Sequence, residues 1–166
     1  MPAKPRAKQT TGTPAILAAQ RAGIPFRVLE YAHDPGAESY GLEAAAALAL
    51  DPATVFKTLV ANIDGGRLVV AIVPVSARLN LKGLAAAVGG KRAELADGGA
   101  AERATGYVLG GISPLGGRRA LPTILDCSAL DHPTIHVSGG RRGLELTLAP
   151  ADLIRLTAAT VAPIAI

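Results

Sequence analysis

The amino-acid sequence predicts a single α+β domain in which a mixed, partly barrel-like β-sheet is flanked by helices. Three observations support this fold class. The chain has 166 residues, about the size of one domain. Hydrophobic residues make up 49% of it and aromatic residues 3%, so the core is expected to be aliphatic. Helical and strand patterns do not alternate strictly, which favours a mixed sheet over a doubly wound parallel one.

The N-terminal third combines a basic tail with two helices. Residues 1–11 are expected to be a mobile tail, and residues 12–166 the folded domain. Thr13 can cap a helix that Pro14 begins and Gly23 ends. A strand over residues 26–31 and a polar loop over 33–39 follow, and the run rich in Ala and Leu over 42–50 predicts a short helix.

The middle and C-terminal parts contain most of the predicted strands. Residues 55–63 and 68–73 are expected to form a hairpin around Asp64-Gly65-Gly66. Asn80 and Asp97 can each cap a short helix. The remaining expected elements are an edge strand over 92–95, an irregular glycine-rich stretch over 105–117, strands over 121–126, 134–138 and 144–148, and a helix from Pro150 to about residue 157.

Charge and cysteine content limit the classes of function. The net charge is +4, and Lys4, Arg6 and Lys8 supply +3 of it, which leaves +1 for residues 12–166. A strong overall field for polyanions is therefore absent. A single cysteine excludes an intramolecular disulfide, and no apolar run is long enough for a membrane span, so we expect a cytoplasmic protein without a membrane partner.

Lys57 is the first candidate for a functional residue. It lies within the apolar run Val55-Phe56-Lys57-Thr58-Leu59-Val60. A lysine in such a strand is costly unless its amine reaches water or an anion. Two interpretations remain open from these residues alone: Lys57 occupies the solvent face of an alternating strand, or its ammonium binds a phosphate, a carboxylate or a developing oxyanion.

The glycine-rich segment over residues 106–116 is the second candidate. Its spacing matches neither a Walker loop nor a dinucleotide fingerprint. Glycines allow the backbone to approach a ligand closely, and exposed amides can bind an oxyanion. A bulged strand with a bend explains the same residues.

The sequence shows little evidence of a catalytic nucleophile or of a metal site. Cys127 follows an apolar strand and is expected to be a small buried residue. The three histidines are dispersed, and no Cys or His cluster has the spacing of a zinc site. Asp126, Asp131 and Glu145 are single acidic residues without an evident partner. We therefore expect no cofactor and no metal. If the protein is an enzyme, these residues favour one that acts by positioning and polarisation and not by a covalent nucleophile.

Several strings occur in the same order as in a known family. They are TPA at 13–15, HDP at 33–35, FKTL at 56–59, LNLK at 79–82, ATGY at 104–107, GGISPLG at 110–116, LPT at 121–123 and VSGGRRGL at 137–144. Together they resemble the YbaK/EbsC family, which is related to the editing domain of bacterial prolyl-tRNA synthetases. The resemblance covers residues 13 to about 158.

The resemblance implies an enzyme that deacylates mischarged aminoacyl-tRNA in trans, with Cys-tRNA(Pro), or Cys-tRNA(Cys), as substrate. It implies catalytic roles for Lys57 and Gly110. It also implies that the substrate's own thiol attacks the ester, although attack by water stays open. The implied substrate-pocket residues are Tyr31, Thr58, Gly111, Ser113 and Pro114. Arg118, Arg119, Arg141 and Arg142 are candidate contacts to the tRNA.

The implied partners are the acceptor stem and 3′ adenosine of the mischarged tRNA, with prolyl-tRNA synthetase as a further candidate. Two alternatives stay open. The first is a deacylase for another mischarged tRNA, such as Ala-tRNA(Pro). The second is a noncatalytic module that binds tRNA or a synthetase, which the basic tail and the few enzyme-like residues would suit.

Overall fold

A computed structural model of the chain describes residues 12–37 and 39–166. The predicted tail over residues 1–11 lies outside the described residues. The elements in chain order are α1 (Pro14–Ala22), β1 (Arg27–Glu30), α2 (Tyr40–Ala47), β2 (Phe56–Ile63), β3 (Arg67–Pro74), α3 (Leu81–Ala87), β4 (Ala93–Leu95), α4 (Gly98–Thr105), β5 (Thr123–Asp126), a 3₁₀ helix (Cys127–Asp131), β6 (Ile135–Ser138), β7 (Leu144–Leu148), α5 (Pro150–Thr157) and β8 (Thr160–Ala162). The predicted α+β class is confirmed.

The described strands form two sheets. The larger has the order β4-β2-β3-β5-β8 and is mixed, because β4, β2 and β3 pair antiparallel whereas β3, β5 and β8 pair parallel. The smaller is antiparallel with the order β1-β7-β6. A parallel bridge between Val55 and His136 brings the start of β2 beside β6. The sheets meet at this bridge and not along a continuous ladder, so they do not close into a barrel.

Local signals account for most element boundaries. The Thr13 hydroxyl accepts a hydrogen bond from the Ile16 backbone N–H at 3.2 Å, and a left-handed Gly23 ends α1. Between β2 and β3, Asp64 and Gly65 have φ values of 54° and 72°, and the Gly66 N–H donates to the Ile63 carbonyl. Positive φ at both central positions is typical of hairpin turns. The predicted hairpin is therefore confirmed.

Both faces of the larger sheet are buried. Along β3, Val70 and Ile72 belong to the main core with α1, β6 and β7. The alternate residues Val69, Ala71 and Val73 pack in a second cluster with α3. The sheet therefore offers no solvent face at its centre, and a polar side chain on β2 must lie in a cavity or at an edge.

One expectation about the segment after β5 was wrong, and two elements that follow β5 were not expected. Cys127 is exposed, although the sequence suggested a buried residue. The Asp126 carboxylate accepts from the Ser128 backbone N–H and caps a 3₁₀ helix, which carries Cys127 to the surface. Neither this helix nor strand β8 was expected. No helix in the described ranges is long and apolar enough to cross a membrane.

Candidate active site at the junction of the two sheets

A cavity of about 280 Å³ lies where the start of β2 meets the smaller sheet. Its walls come from β2, the beginning of α2, the end of β1, the loop after α4, and strands β6 and β7. The polar side chains and backbone that line it include Tyr31, Lys57, Thr58, Gly110, Ser138 and Glu145. Four of the residues suggested by the sequence therefore lie around one cavity, namely Tyr31, Lys57, Thr58 and Gly110.

Lys57 is half-buried at the second position of β2. Burial lowers the pKa of its ammonium, and the nearby positive charge of Arg78 lowers it further. The ion pairs among the described residues do not involve Lys57. The cavity therefore contains a partly desolvated cation that forms no ion pair with the described residues, which suits the binding of an anion or a developing negative charge.

Glu145 is an acidic side chain in the cavity wall, and the sequence suggested no role for it. It lies in β7, the central strand of the smaller sheet, opposite Leu29 of β1 and Ser138 of β6. It is only 6% exposed, and burial raises its pKa to about 8. A carboxyl group with this pKa is mostly protonated at neutral pH and can donate a hydrogen bond.

Tyr31 and Thr58 contribute two hydroxyl groups. The backbone N–H of Tyr31 donates to the Gly143 carbonyl at 3.0 Å, which fixes the end of β1 beside the turn before β7. Burial raises the pKa of the Tyr31 phenol, and the Glu145 charge raises it further. The Thr58 hydroxyl is buried and has no hydrogen-bond partner among the described residues. An unpartnered buried hydroxyl is costly and points to a ligand contact.

Gly110 lies in a tight turn at the edge of the cavity. The Gly111 N–H donates to the Val108 carbonyl at 2.9 Å, and Gly110 has a φ of 83°. A positive φ at the third position of such a turn, with a negative φ at Leu109, defines a type II turn. A Cβ on Gly110 would approach both Tyr40 and Arg142 to 2.9 Å. Glycine is therefore required here for conformation and for space.

The rest of the glycine-rich loop packs against other segments. Gly111 has its Cβ position 2.8 Å from Cα of Arg141, so it permits close contact between two loops. The hydroxyl of Tyr107 donates to the Leu115 carbonyl at 2.6 Å and holds the far end of the loop. These contacts therefore hold the glycine-rich loop that carries Gly110 in place.

Three residues suggested as pocket contacts do not line this cavity. Gly111 is occupied by the contact with Arg141. Ser113 and Pro114 line a second cavity of about 250 Å³ on the side of α1 and α5. The Ser113 hydroxyl accepts from the Leu115 N–H at 3.2 Å, so it is engaged within its own loop.

The four candidate arginines fall into two pairs with different surroundings. Arg118 and Arg119 are exposed, and Arg119 lies at the second cavity. Arg141 forms an ion pair with Glu30 at 3.1 Å. Arg142 donates from Nε to the Leu109 carbonyl at 2.8 Å, and its guanidinium carbon lies 4.9 Å from the centroid of the Tyr40 ring.

Comparison with known proteins identifies the family of this chain. Residues 34–156 match the family described as aminoacyl-tRNA editing domain. The chain is 35% identical over 158 residues to a protein of Enterococcus faecalis provisionally named Cys-tRNA(Pro)/Cys-tRNA(Cys) deacylase EbsC, and the alignment covers 93% of each chain.

Two solved structures have a fold similar to that of this chain. One crystal structure, provisionally described as a trans-editing enzyme for prolyl tRNA synthetase, has a TM-score of 0.79 at 27% identity and covers 98% of both chains. A second, of a hypothetical protein, has a TM-score of 0.78 at 25% identity and covers 89% of this chain and 96% of the other.

Proposed function

The chain belongs to the family of aminoacyl-tRNA editing domains, and from that premise we propose that it acts in trans on tRNA mischarged with cysteine. Membership makes it an aminoacyl-tRNA deacylase that binds tRNA and bears out the resemblance to the YbaK/EbsC family. The finer proposal is that Cys-tRNA(Pro), or Cys-tRNA(Cys), is hydrolysed. The observation that carries it is the single cavity shared by Lys57, Gly110 and Glu145.

Lys57 and Gly110 supply the electrostatics of the reaction. The Lys57 ammonium, which is not paired with a carboxylate in the part of the chain that the structure describes, binds the terminal phosphate of the tRNA or orients its 3′ adenosine. The amide of Gly110 donates to the ester carbonyl, on which negative charge develops during attack. Such donors act most strongly in a site that excludes water.

Glu145 binds the α-ammonium of the aminoacyl group in this proposal. In the empty cavity its carboxyl group is mostly protonated, since its pKa is about 8. An ammonium group at hydrogen-bond distance lowers the pKa of a carboxyl group. Glu145 therefore ionises when the charged amino acid enters, and the pair forms only with a free α-amino group.

The nucleophile comes from the substrate. No cysteine or histidine is among the residues that line the described cavity. The cysteine thiol of the substrate attacks its own ester carbonyl: a C–S bond forms, the bond from the carbonyl carbon to the ribose oxygen breaks, and the thiol proton goes to that oxygen. The resulting thiolactone is hydrolysed by water.

Few positively charged side chains bind the tRNA in this proposal. The exposed Arg118 and Arg119 contact the acceptor stem, and prolyl-tRNA synthetase presents the mischarged tRNA. This division suits a domain that carries a net charge of only +1 over residues 12–166. Affinity for free tRNA should accordingly be modest and sensitive to salt.

A panel of tRNA(Pro) charged with cysteine, serine or alanine tests the substrate. We expect fast release of cysteine and slow release of serine and alanine, because only cysteine has the attacking sulfur. Rapid release of alanine with cysteine spared would assign the alternative specificity. Equal release of cysteine and serine would show that water, and not the thiol, attacks.

Lys57→Ala tests whether the domain is catalytic through this cavity. We expect deacylation to be lost while the melting temperature is maintained, because the variant removes a poorly hydrated charge. Lys82→Ala, in the exposed face of α3, is the matched control and should retain the wild-type rate. An unchanged rate in Lys57→Ala would favour the noncatalytic alternative.

A further inference from the structure

We propose that Arg142 is a positioning residue that sets the direction of the Gly110 amide in the substrate cavity. This inference rests on the proposed function, because it assigns the Gly110 N–H to the ester carbonyl of the substrate. It differs from the expectation that Arg142 is a contact to the tRNA. The Arg142 side chain already makes two contacts within the protein, a hydrogen bond from Nε and a contact of the guanidinium group with an aromatic ring.

Arg142 connects three segments at the rim of the cavity. Its Nε donates to the carbonyl of Leu109 at 2.8 Å. Its guanidinium carbon lies over the Tyr40 ring, 4.9 Å from the centroid, which is the distance of a cation–π contact. Tyr40 is the first residue of α2, and Arg142 belongs to the turn between β6 and β7. The glycine-rich loop is thereby tied to two rigid elements.

The hydrogen bond from Arg142 to the Leu109 carbonyl restricts the orientation of one peptide group. The peptide between Leu109 and Gly110 is the central unit of the type II turn. Type I and type II turns differ by a rotation of this unit of roughly 150–170°. The alternative orientation would turn the Leu109 carbonyl away from Arg142. The hydrogen bond therefore stabilises one of two orientations.

The direction of the Leu109 carbonyl determines that of the Gly110 N–H. In a trans peptide these two groups lie in one plane and point in opposite directions. With the carbonyl held by Arg142 at the rim, the Gly110 N–H points away from the arginine. Within the described parts of the chain this N–H has no acceptor. It is a free donor on a residue that lines the cavity.

A second contact prevents the turn from moving as a whole. The backbone N–H of Leu109 donates to a carboxylate oxygen of Glu102 in α4 at 2.9 Å. Leu109 is thus held at its N–H by α4 and at its carbonyl by Arg142. Removal of Arg142 alone leaves the turn anchored but releases the peptide that carries the Gly110 N–H.

Single-turnover deacylation of Cys-tRNA(Pro) by Arg142→Ala tests the inference. We expect the rate constant at saturating enzyme to fall about 10- to 100-fold, since misplaced donors cost rates of this order. The Kd for uncharged tRNA should change by less than about threefold, as expected for a side chain that does not bind phosphate. Arg142→Lys restores the charge without the planar Nε donor and should recover less than half of the lost rate.

Arg141→Ala is the comparison variant for charge, because it removes the same charge from the same turn without touching Leu109. The Arg141 side chain forms an ion pair with Glu30. Arg141 is a candidate contact to the tRNA, so we expect this variant to raise the Kd for tRNA and to slow the saturating rate less than about threefold. Equal effects of the two alanine variants on Kd, with full recovery in Arg142→Lys, would assign Arg142 to phosphate binding and overturn the proposal.

Nuclear magnetic resonance separates failure of this inference from failure of the proposed function. In Arg142→Ala, the Gly110 amide resonance should shift or broaden as the peptide samples both orientations, while those of the α4 amides stay in place. This readout needs no substrate. If Gly110 keeps its wild-type resonance and linewidth, the inference is wrong even when cysteine is the substrate. If Gly110 changes but the wild type does not release cysteine, only the proposed function fails.

Discussion

Replacement of Glu145 by glutamine preserves shape and hydrogen-bonding capacity but removes ionisation. Burial raises the pKa of Glu145 from 4.5 to about 8 in the folded protein. The folded state therefore retains a proton that the unfolded state releases between these two values. Stability contributed by the protonated group is present below pH 4.5 and is lost progressively as the pH rises to about 8.

The size of this effect follows from the same two pKa values. At about 1.4 kcal/mol per unit of pKa, the rise from 4.5 to about 8 corresponds to on the order of 5 kcal/mol in total. Part of the loss has already occurred at pH 5, so about 4 kcal/mol remains between pH 5 and pH 9. Glu145→Gln lacks this loss. The stability of the variant relative to the wild type should increase by about that amount over this range.

Urea unfolding at five pH values between 5 and 9 measures the difference. Far-ultraviolet circular dichroism is the suitable probe, because the chain has no tryptophan. The buried amide of glutamine adds a constant offset, so the slope with pH is the informative quantity. A difference that stays flat from pH 5 to 9 would show that Glu145 is ionised throughout, with a cation such as Lys57 as its partner, and would refute the reasoning.

Three further changes test the packing that supports the site. Gly116→Ala places a Cβ against the backbone of Pro14 at a φ of 68°, and urea unfolding should show that the free energy of unfolding falls by about 3 kcal/mol. Its control is Gly89→Ala, at a φ of 71° with open space around it, for which the free energy of unfolding should fall by only about 1 kcal/mol. Tyr107→Phe removes a buried hydrogen bond of 2.6 Å to a loop carbonyl and should lose about 1–2 kcal/mol by the same measurement. Asp126→Asn weakens an acceptor of two backbone N–H groups near the C-terminal end and should lower the melting temperature by several degrees, about 2–8 °C.

Much of the fold could be predicted because its signals are local. Thr13 followed by Pro14 specifies a helix start without reference to any other segment, and Asp64-Gly65-Gly66 specifies a hairpin. Each structure depends on hydrogen bonds within a few residues. Strand β8 has no comparable signal. It has three residues and is stabilised by parallel pairing with β5, a strand that is distant in sequence.

The candidate site was only partly predictable, since its chemistry depends on contacts between distant segments. Lys57 is conspicuous in the sequence as a charge within an apolar run. Glu145 also lies within an apolar strand and is more deeply buried than Lys57, but its environment depends on β1 and β6 lying on either side of it. Ser113 follows Gly110 closely in sequence and yet lines a different cavity, because the loop between them separates the two spaces.

Placement at the junction explains why so few residues can perform the proposed chemistry. Lys57 comes from the larger sheet and Glu145 from the smaller one, and the sheets meet at the bridge between Val55 and His136. Docking the sheets desolvates both groups, which moves the two pKa values in opposite directions. Each group is thereby shifted toward its neutral form. In the proposed function, a phosphate and an ammonium group of the substrate stabilise the charged forms of Lys57 and Glu145, respectively, and this favours aminoacylated tRNA over tRNA without an amino acid.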